Sequence, residues 1–250
     1  ADGIITVTVN LASLLQSLKC VVSKIHIVPC CVGTISNSTK MYDIRRTLGV
    51  RRDEKLLVYC GRYARYQHLE DLTIPFFKLL VRKNDKLKVL ILSQDISKIK
   101  PMLECGDDGE RFIFLKVAQD EVADYLSACD LGFLIRKPTL VNRVAQPVKI
   151  GEYLAAGVPV CVEGEIGGVT KELLAYNAGI SINISDKPQS EWNCAVDTVL
   201  EFLNNNRDKS RNAKSLARDH FLWEANVPKQ RAYYRRIIES VQRQTCMRAQ

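Results

Sequence analysis

Short apolar runs alternate along this chain with stretches whose apolar residues recur every three to four positions. The runs fall at 4–9, 24–28, 55–60, 87–92, 111–115, 131–135, 158–162 and 179–182, and their length and boundaries predict strands. Helical spacing occupies 11–20, 67–82, 96–104, 120–128, 148–156, 168–175 and 191–204. Strand, helix and strand repeated in this order predict an α/β fold with a doubly wound parallel sheet, since parallel strands need long crossovers that helices supply. Ligands of such folds bind outside the carboxyl ends of the strands, so the residues just past each run are the ones to inspect. After about residue 206 the strand pattern stops and the chain reads as helical, with Val227, Ala232, Tyr234, Ile238 and Val241 near helical spacing.

Composition narrows the classes. The chain has 250 residues, 46% of them apolar and 26% charged, which is one large or two small globular domains and excludes whole-chain disorder. No run approaches the roughly 18 apolar residues of a membrane-crossing helix. The cysteines, nine in all, are scattered without a C-x-x-C pair, and several lie in apolar runs such as VPVCV. That pattern predicts buried reduced thiols in a cytoplasmic protein, with no disulfide framework and no metal site. The sequence opens at Ala1 on a strand-like run, has its first methionine at Met41 and shows no signal-peptide pattern, so it reads as starting inside a larger protein. A net charge of +8 calls for an anionic partner or for solvated helix faces. It thickens at Arg45, Arg46, Arg51 and Arg52, and again at Arg231, Arg235, Arg236, Arg243 and Arg248. No nucleic-acid motif accompanies it, and no nucleic-acid partner is expected.

The segment 142–168, NRVAQPVKIGEYLAAGVPVCVEGEIGG, carries the most chemistry. Gln146 reads as a helix cap, Pro147 as the first helical residue, and Gly157 as the stop. The free N–H groups and positive dipole end at Val148 and Lys149 form an anion site. Lys149 adds a charge, and Glu152 lies one turn on, near the same face. A cation for phosphate and a carboxylate for sugar hydroxyls at that spacing suit a nucleotide; the same spacing also suits an ordinary amphipathic Lys/Glu pair.

The stretch P-V-K-I-G-E-Y-L-A-A-G-V-P-V resembles the donor-binding signature of the GT-B fold retaining glycosyltransferases of the group-4, "glycosyl transferases group 1" family, and more narrowly its polysaccharide-biosynthesis members. LLVYCGRYARYQ at 56–67 resembles the strand and glycine turn that open that family's Rossmann-like donor domain. YLSACDLGFLIRK at 125–137 resembles the strand before its donor loop. DGIITVTVNLASLL resembles the last strand–helix unit of its N-terminal domain, KIHIVPCCVGT the first strand after the linker, and HFLWEANVPKQRAYY its closing helices.

The resemblance implies residues 1–22 as a remnant of the N-terminal domain, 23–222 as the nucleotide-sugar-binding domain, and 223–250 as a helix packing back toward the missing N-terminal domain. It implies a UDP- or GDP-linked sugar donor, a hydroxyl acceptor and no metal or other cofactor. Arg62 and Lys149 would neutralise the departing diphosphate, Glu152 would bind the ribose, and backbone near Val117 the base. Gly61 lies in the glycine turn, Val148 at the helix start, and Arg136, Asn142 and Arg143 on the loop facing the donor. Two departures stand out. The family's first glutamate, eight residues before Glu152, is Val144 here, and its frequent lysine near the arginine turn is Gln67. Lys149, Arg136 or Arg143 would then replace the charge that Gln67 lacks.

Two other readings compete: a non-catalytic nucleotide-sugar-binding module, and a sugar-nucleotide epimerase, for which no catalytic acids are found. Peripheral contact with the inner membrane face is a further expectation from the basic clusters. The histidines His26, His68 and His220 are isolated and read as structural. Gly106, Asp107, Asp108, Gly109 and Glu110 read as a surface turn, lacking calcium-loop spacing. Gly164, Gly167 and Gly168 suit a phosphate or sugar contact, and Trp223, Tyr233 and Tyr234 suit packing.

Overall fold

The computed structural model describes residues 2–35, 40–104, 108–205 and 208–248, with side chains to Arg243. Cys105, Gly106 and Asp107 lie outside the described residues, as do the side chains of Cys246 and Arg248.

The main sheet has six strands, all parallel: β3 (Lys55–Cys60), β4 (Leu87–Leu92), β5 (Phe112–Leu115), β6 (Leu131–Leu134), β7 (Val160–Glu163) and β8 (Gly179–Ile182), in the order β5-β4-β3-β6-β7-β8. These strands are near-continuous apolar runs because both faces are covered. Leu57 and Tyr59 of β3, Val89 and Ile91 of β4 and Phe133 of β6 enter one core. Their alternates Leu56, Val58, Leu90, Leu92 and Leu134 enter the other. The first core is closed by α3 (Ile74–Lys83), α4 (Ile96–Leu103) and α9 (Asn193–Asn205), through Phe76, Phe77, Ile99 and Val199. The second is closed by α5 (Val122–Ser127), α7 (Val148–Ala155), α8 (Thr170–Ala175) and α10 (Lys209–Leu216), through Leu126, Tyr153, Leu173 and Leu216.

A smaller parallel pair, β1 (Ile4–Thr6) and β2 (Ile25–Ile27), flanks α1 (Val9–Ser17). The long terminal helix α11 (Trp223–Arg248) holds it: the Tyr233 hydroxyl accepts from the Ile4 N–H at 2.9 Å and donates to the Lys24 carbonyl, and His26 stacks on the Tyr233 ring at 4.5 Å. Tyr233 is thus buried, as packing requires, whereas Trp223 and Tyr234 face outward.

Three local expectations are corrected. The stretch 67–82 is not one helix: His68 is left-handed (φ +47), a single π turn (Leu69–Thr73) follows, and α3 starts only at Ile74. Pro147 is the cap of α7 rather than its first residue, and the Gln146 side chain instead accepts from the Cys30 N–H. Two short helices, α2 (Met41–Thr47) and α6 (Leu140–Val144), stand where no helical stripe was read. The stop at Gly157 follows the expected geometry: at φ +80, it lets Gly157 N–H reach the Leu154 carbonyl and Val158 N–H the Tyr153 carbonyl. The cysteines with described side chains are free thiols, three of them buried. No helix among the described residues is long and apolar enough to cross a membrane.

Candidate functional site

The strand order reverses between β3 and β6, the first strand of each half of the sheet, and a crevice opens outside their carboxyl ends. There the chain forms a cleft of about 550 Å³, lined from β3 by Cys60, Gly61, Arg62, Tyr66 and Gln67, and from β4 by Leu92, Ser93 and Gln94. Val117, Ala118, Gln119 and Val122 line it after β5, Arg136 after β6, and Pro147, Val148 and Lys149 at the start of α7.

Packing explains the convergence. The fully buried Tyr153 of α7 accepts the Cys60 N–H with its hydroxyl oxygen at 2.8 Å, which docks α7 against the end of β3 and sets Lys149, one turn earlier, beside Cys60. Gly132 of β6 leaves the space for that tyrosine: a Cβ there would lie 2.9 Å from its ring. Gly61 follows β3 with its N–H on the Leu92 carbonyl, and a Cβ on it would lie 2.9 Å from the Tyr59 hydroxyl oxygen, so the turn excludes larger residues.

The charges sort into two closed pairs and one open cation. Arg62 Nε reaches Asp95 Oδ2 at 2.6 Å; the arginine side chain is 70% exposed, and Asp95 also takes the Tyr63 N–H. The hydrogen bond to Arg62 holds the Asp95 carboxyl below the usual carboxylate range and raises the Arg62 pKa in return. Lys149 Nζ lies 2.6 Å from Glu152 Oε2. Burial opposes the lysine charge, but the Cys60 thiol and the Glu152 carboxylate outweigh it and hold the pKa above that of an ordinary lysine. Arg136 is different. Only 8% exposed, it donates from Nε to Gln67 Oε1 at 3.1 Å and lies 5.1 Å over the Tyr66 ring, with no carboxylate within ion-pairing distance among the described residues. Burial lowers its pKa, as expected of a desolvated cation that lacks a counter-charge.

The cleft therefore gathers Gly61, Arg62, Gln67, Val117, Arg136, Val148 and Lys149. Glu152 sits one turn below, bonded to Lys149. The carbonyl of Val117 accepts from Gln94 Nε2 at 3.1 Å. Asn142 and Arg143 are placed elsewhere, on α6: Asn142 is buried and donates to the Lys137 carbonyl at 2.9 Å, and Arg143 is exposed, its carbonyl taking the Asn10 amide. Val144 lies on the same short helix, its carbonyl bonded to the Thr8 hydroxyl. The sequence reading passed over Tyr66, Ser93, Gln94 and Gln119, although Ser93 and Gln94 directly follow a strand. Gly167 and Gly168 lie apart from this cleft; both are left-handed, and a Cβ would lie 2.6 Å from the Ala145 carbonyl oxygen on Gly167 and 2.8 Å from Val9 on Gly168, so they serve close packing of the loop on the residues after α6 and on α1. Among the described residues no cluster of three or more His, Cys, Asp or Glu could hold a metal ion.

No family model matches the chain. The N-acetyl-alpha-D-glucosaminyl L-malate synthase of Bacillus anthracis is 23% identical over 146 residues, 58% of this chain and 36% of its own length. Among solved structures, WaaG, a glycosyltransferase involved in lipopolysaccharide biosynthesis, aligns at a TM-score of 0.66 and 14% identity over 92% of this chain and 61% of its own. Anabaena Alr3699/HepE, solved in complex with UDP, aligns at 0.70 and 14% identity over 97% of this chain and 64% of its own. This chain thus spans about a third of the length of the curated relative and under two thirds of these solved chains. The likeness reaches along nearly the whole chain and matches its doubly wound parallel sheet: the fold is that of the Rossmann-like domains of GT-B, group-1 glycosyltransferases.

Proposed function

We propose that this chain is the donor-binding part of a glycosyltransferase that moves a hexosyl group from a UDP- or GDP-sugar to a hydroxyl acceptor in surface polysaccharide or glycoconjugate synthesis. The observation that carries the reading is Arg136, a buried cation without a carboxylate partner among the described residues, in the cleft at the strand-order reversal. A desolvated guanidinium is stabilised by an anion that satisfies its remaining donors, and a diphosphate fits its fork. The α7 N–H groups of Val148 and Lys149 add a helix-end anion site. UDP in the fold-mate HepE favours a uridine nucleotide as the first ligand to try.

Each side chain then has a physical task. Lys149 and Arg62 turn from Glu152 and Asp95 toward the diphosphate, and Glu152, released, accepts from the ribose hydroxyls. Backbone at Val117 meets the base. As the anomeric C–O bond breaks, its electron pair leaves on the diphosphate, where Arg136, Lys149 and Arg62 stabilise the growing charge. The acceptor hydroxyl attacks the same face, its oxygen bonding to the anomeric carbon as its proton passes to the departing phosphate oxygen, so configuration is retained. Gln67 holds Arg136 in place, which makes the missing lysine charge unnecessary. The acceptor belongs to a preceding domain, residues 1–22 being its last strand–helix unit, so the isolated chain binds nucleotide without transferring sugar.

Calorimetric titration of the chain with UDP, GDP and their hexose conjugates tests this. Saturable binding of one nucleotide class, lost on Arg136→Met, is the expected result; no binding of either class would sink the proposal.

A further inference from the structure

Two arginines of the cleft differ in availability. Arg136 meets no carboxylate among the described residues, whereas Asp95 holds Arg62 by the edge that would fork onto a phosphate, Nε on Oδ2 at 2.6 Å and Nη2 on Oδ1 at 3.3 Å. We propose that Asp95 is a release latch on the nucleotide cleft: it competes with a nucleoside diphosphate for Arg62 and takes the guanidinium back as the spent nucleotide leaves. The proposal rests on the donor reading above.

Within the pair, Asp95 is the fixed member. Its side chain is only 15% exposed, and Oδ2 also accepts the Tyr63 N–H at 3.0 Å. Its own N–H donates to Ser93 Oγ at 3.0 Å, and its carbonyl accepts the Lys98 and Ile99 N–H groups that open α4. The Arg62 guanidinium is largely exposed and is bonded among the described residues to Asp95 alone. The arginine is therefore the partner that moves, and an exposed ion pair opens at small cost.

A second observation comes from the helix. Asp is a favoured N-cap because its side-chain oxygen accepts the N–H of the second or third helical residue. Asp95 occupies the cap position of α4 yet makes no such bond, and the Ser97 N–H, second in the helix, is left without a hydrogen bond among the described residues. The carboxylate is turned onto Arg62 instead. It thus has two alternative partners, the guanidinium and its own helix end. With a diphosphate on Arg62, Asp95 keeps the Tyr63 N–H and falls back on the Ser97 N–H, where the positive end of the helix dipole meets its charge. With the cleft empty, the guanidinium returns. Such competition holds affinity for the diphosphate down, which suits a product that has to leave after every turnover.

The test is a double-mutant cycle on the full 250-residue chain, with UDP affinity read by calorimetry for the parent, Asp95→Asn, Arg62→Gln and the double variant. Asparagine keeps an oxygen for the Tyr63 N–H and is itself a good cap, so the variant should fold, and thermal melts check that it does. Asp95→Asn should bind UDP roughly three- to tenfold more tightly, because a competing and repelling charge is gone. In the Arg62→Gln background the same change should alter affinity less than about twofold. In the parent chain, saturating UDP should shift the Ser97 amide resonance and slow its hydrogen exchange. Unchanged or weaker UDP binding by Asp95→Asn, an undiminished gain in the Arg62→Gln background, or a Ser97 amide indifferent to UDP would each overturn the latch while leaving the donor reading in place. A parent chain that binds no nucleotide would overturn both.

Discussion

Arg136→Met removes the cleft's open cation while keeping an unbranched side chain of similar reach over Tyr66. A guanidinium about 4 Å from a diphosphate gains ~4 kcal/mol at an effective dielectric constant of ~20, before the ligand's own desolvation. Measured hydrogen bonds to charged groups net ~1.5–3 kcal/mol. The expected loss is therefore ~2–3 kcal/mol, roughly 30- to 150-fold in Kd for UDP. The unliganded protein should respond differently. Arg136 is 8% exposed, and its only hydrogen bond recorded among the described residues runs to Gln67, so removing an uncompensated charge offsets the lost contact. Stability should stay within about 1 kcal/mol, a shift of ~2–4 °C for a chain of this size. Calorimetry with UDP and thermal melts with and without UDP read both quantities. UDP affinity within about threefold of the parent, in a folded variant, would refute the assignment of Arg136 to the leaving group.

Other perturbations test the frame around the cleft. Burial, with help from the Lys55 charge, lowers the Lys209 pKa to about 8 from 10.5, so between those values the unfolded chain holds a proton that the native chain has released. Native stability should therefore rise with pH across that window. Lys209→Met should gain about 1 kcal/mol at neutral pH, a figure discounted for partial exposure, and lack the rise, as read by urea melts on either side of pH 8. Tyr233→Phe strips the acceptor for Ile4 N–H and should cost ~1–2 kcal/mol, with faster amide exchange confined to β1 and β2. Gly157→Ala combines φ +80 with a Cβ 2.4 Å from Ser210 Oγ and should lower the melting temperature by ~4–8 °C, about 2 kcal/mol.

How far such features could be read beforehand depended on their range along the chain. The strands Lys55–Cys60, Leu87–Leu92 and Gly179–Ile182 were legible to the residue, since a parallel strand covered on both faces is a short, near-continuous apolar run. The start of α7 was legible to within a residue, because capping and the glycine stop are local. The short helix α6 was not: it rests on one Thr139 side-chain cap, without an apolar stripe to betray it. Nor was the break at His68, because helical spacing continues through it and the left-handed turn is tied down by Asp71.

The class of fold, the residues able to meet an anion and the local Lys149–Glu152 pair, one helical turn apart, all follow from the order of residues along the chain. Which cations share a cleft, and which of them is open, follows from packing alone. Arg62, Arg136 and Lys149 meet because β3 lies next to β6 and Tyr153 pins α7 to the end of β3, whereas Arg143 is carried outside by α6. Asp95, from the loop after β4, closes Arg62, while no carboxylate among the described residues reaches Arg136. The reason is physical: hydrophobic periodicity records which face of an element is buried, but an electrostatic field depends on distances between elements, and those exist only once the chain is packed.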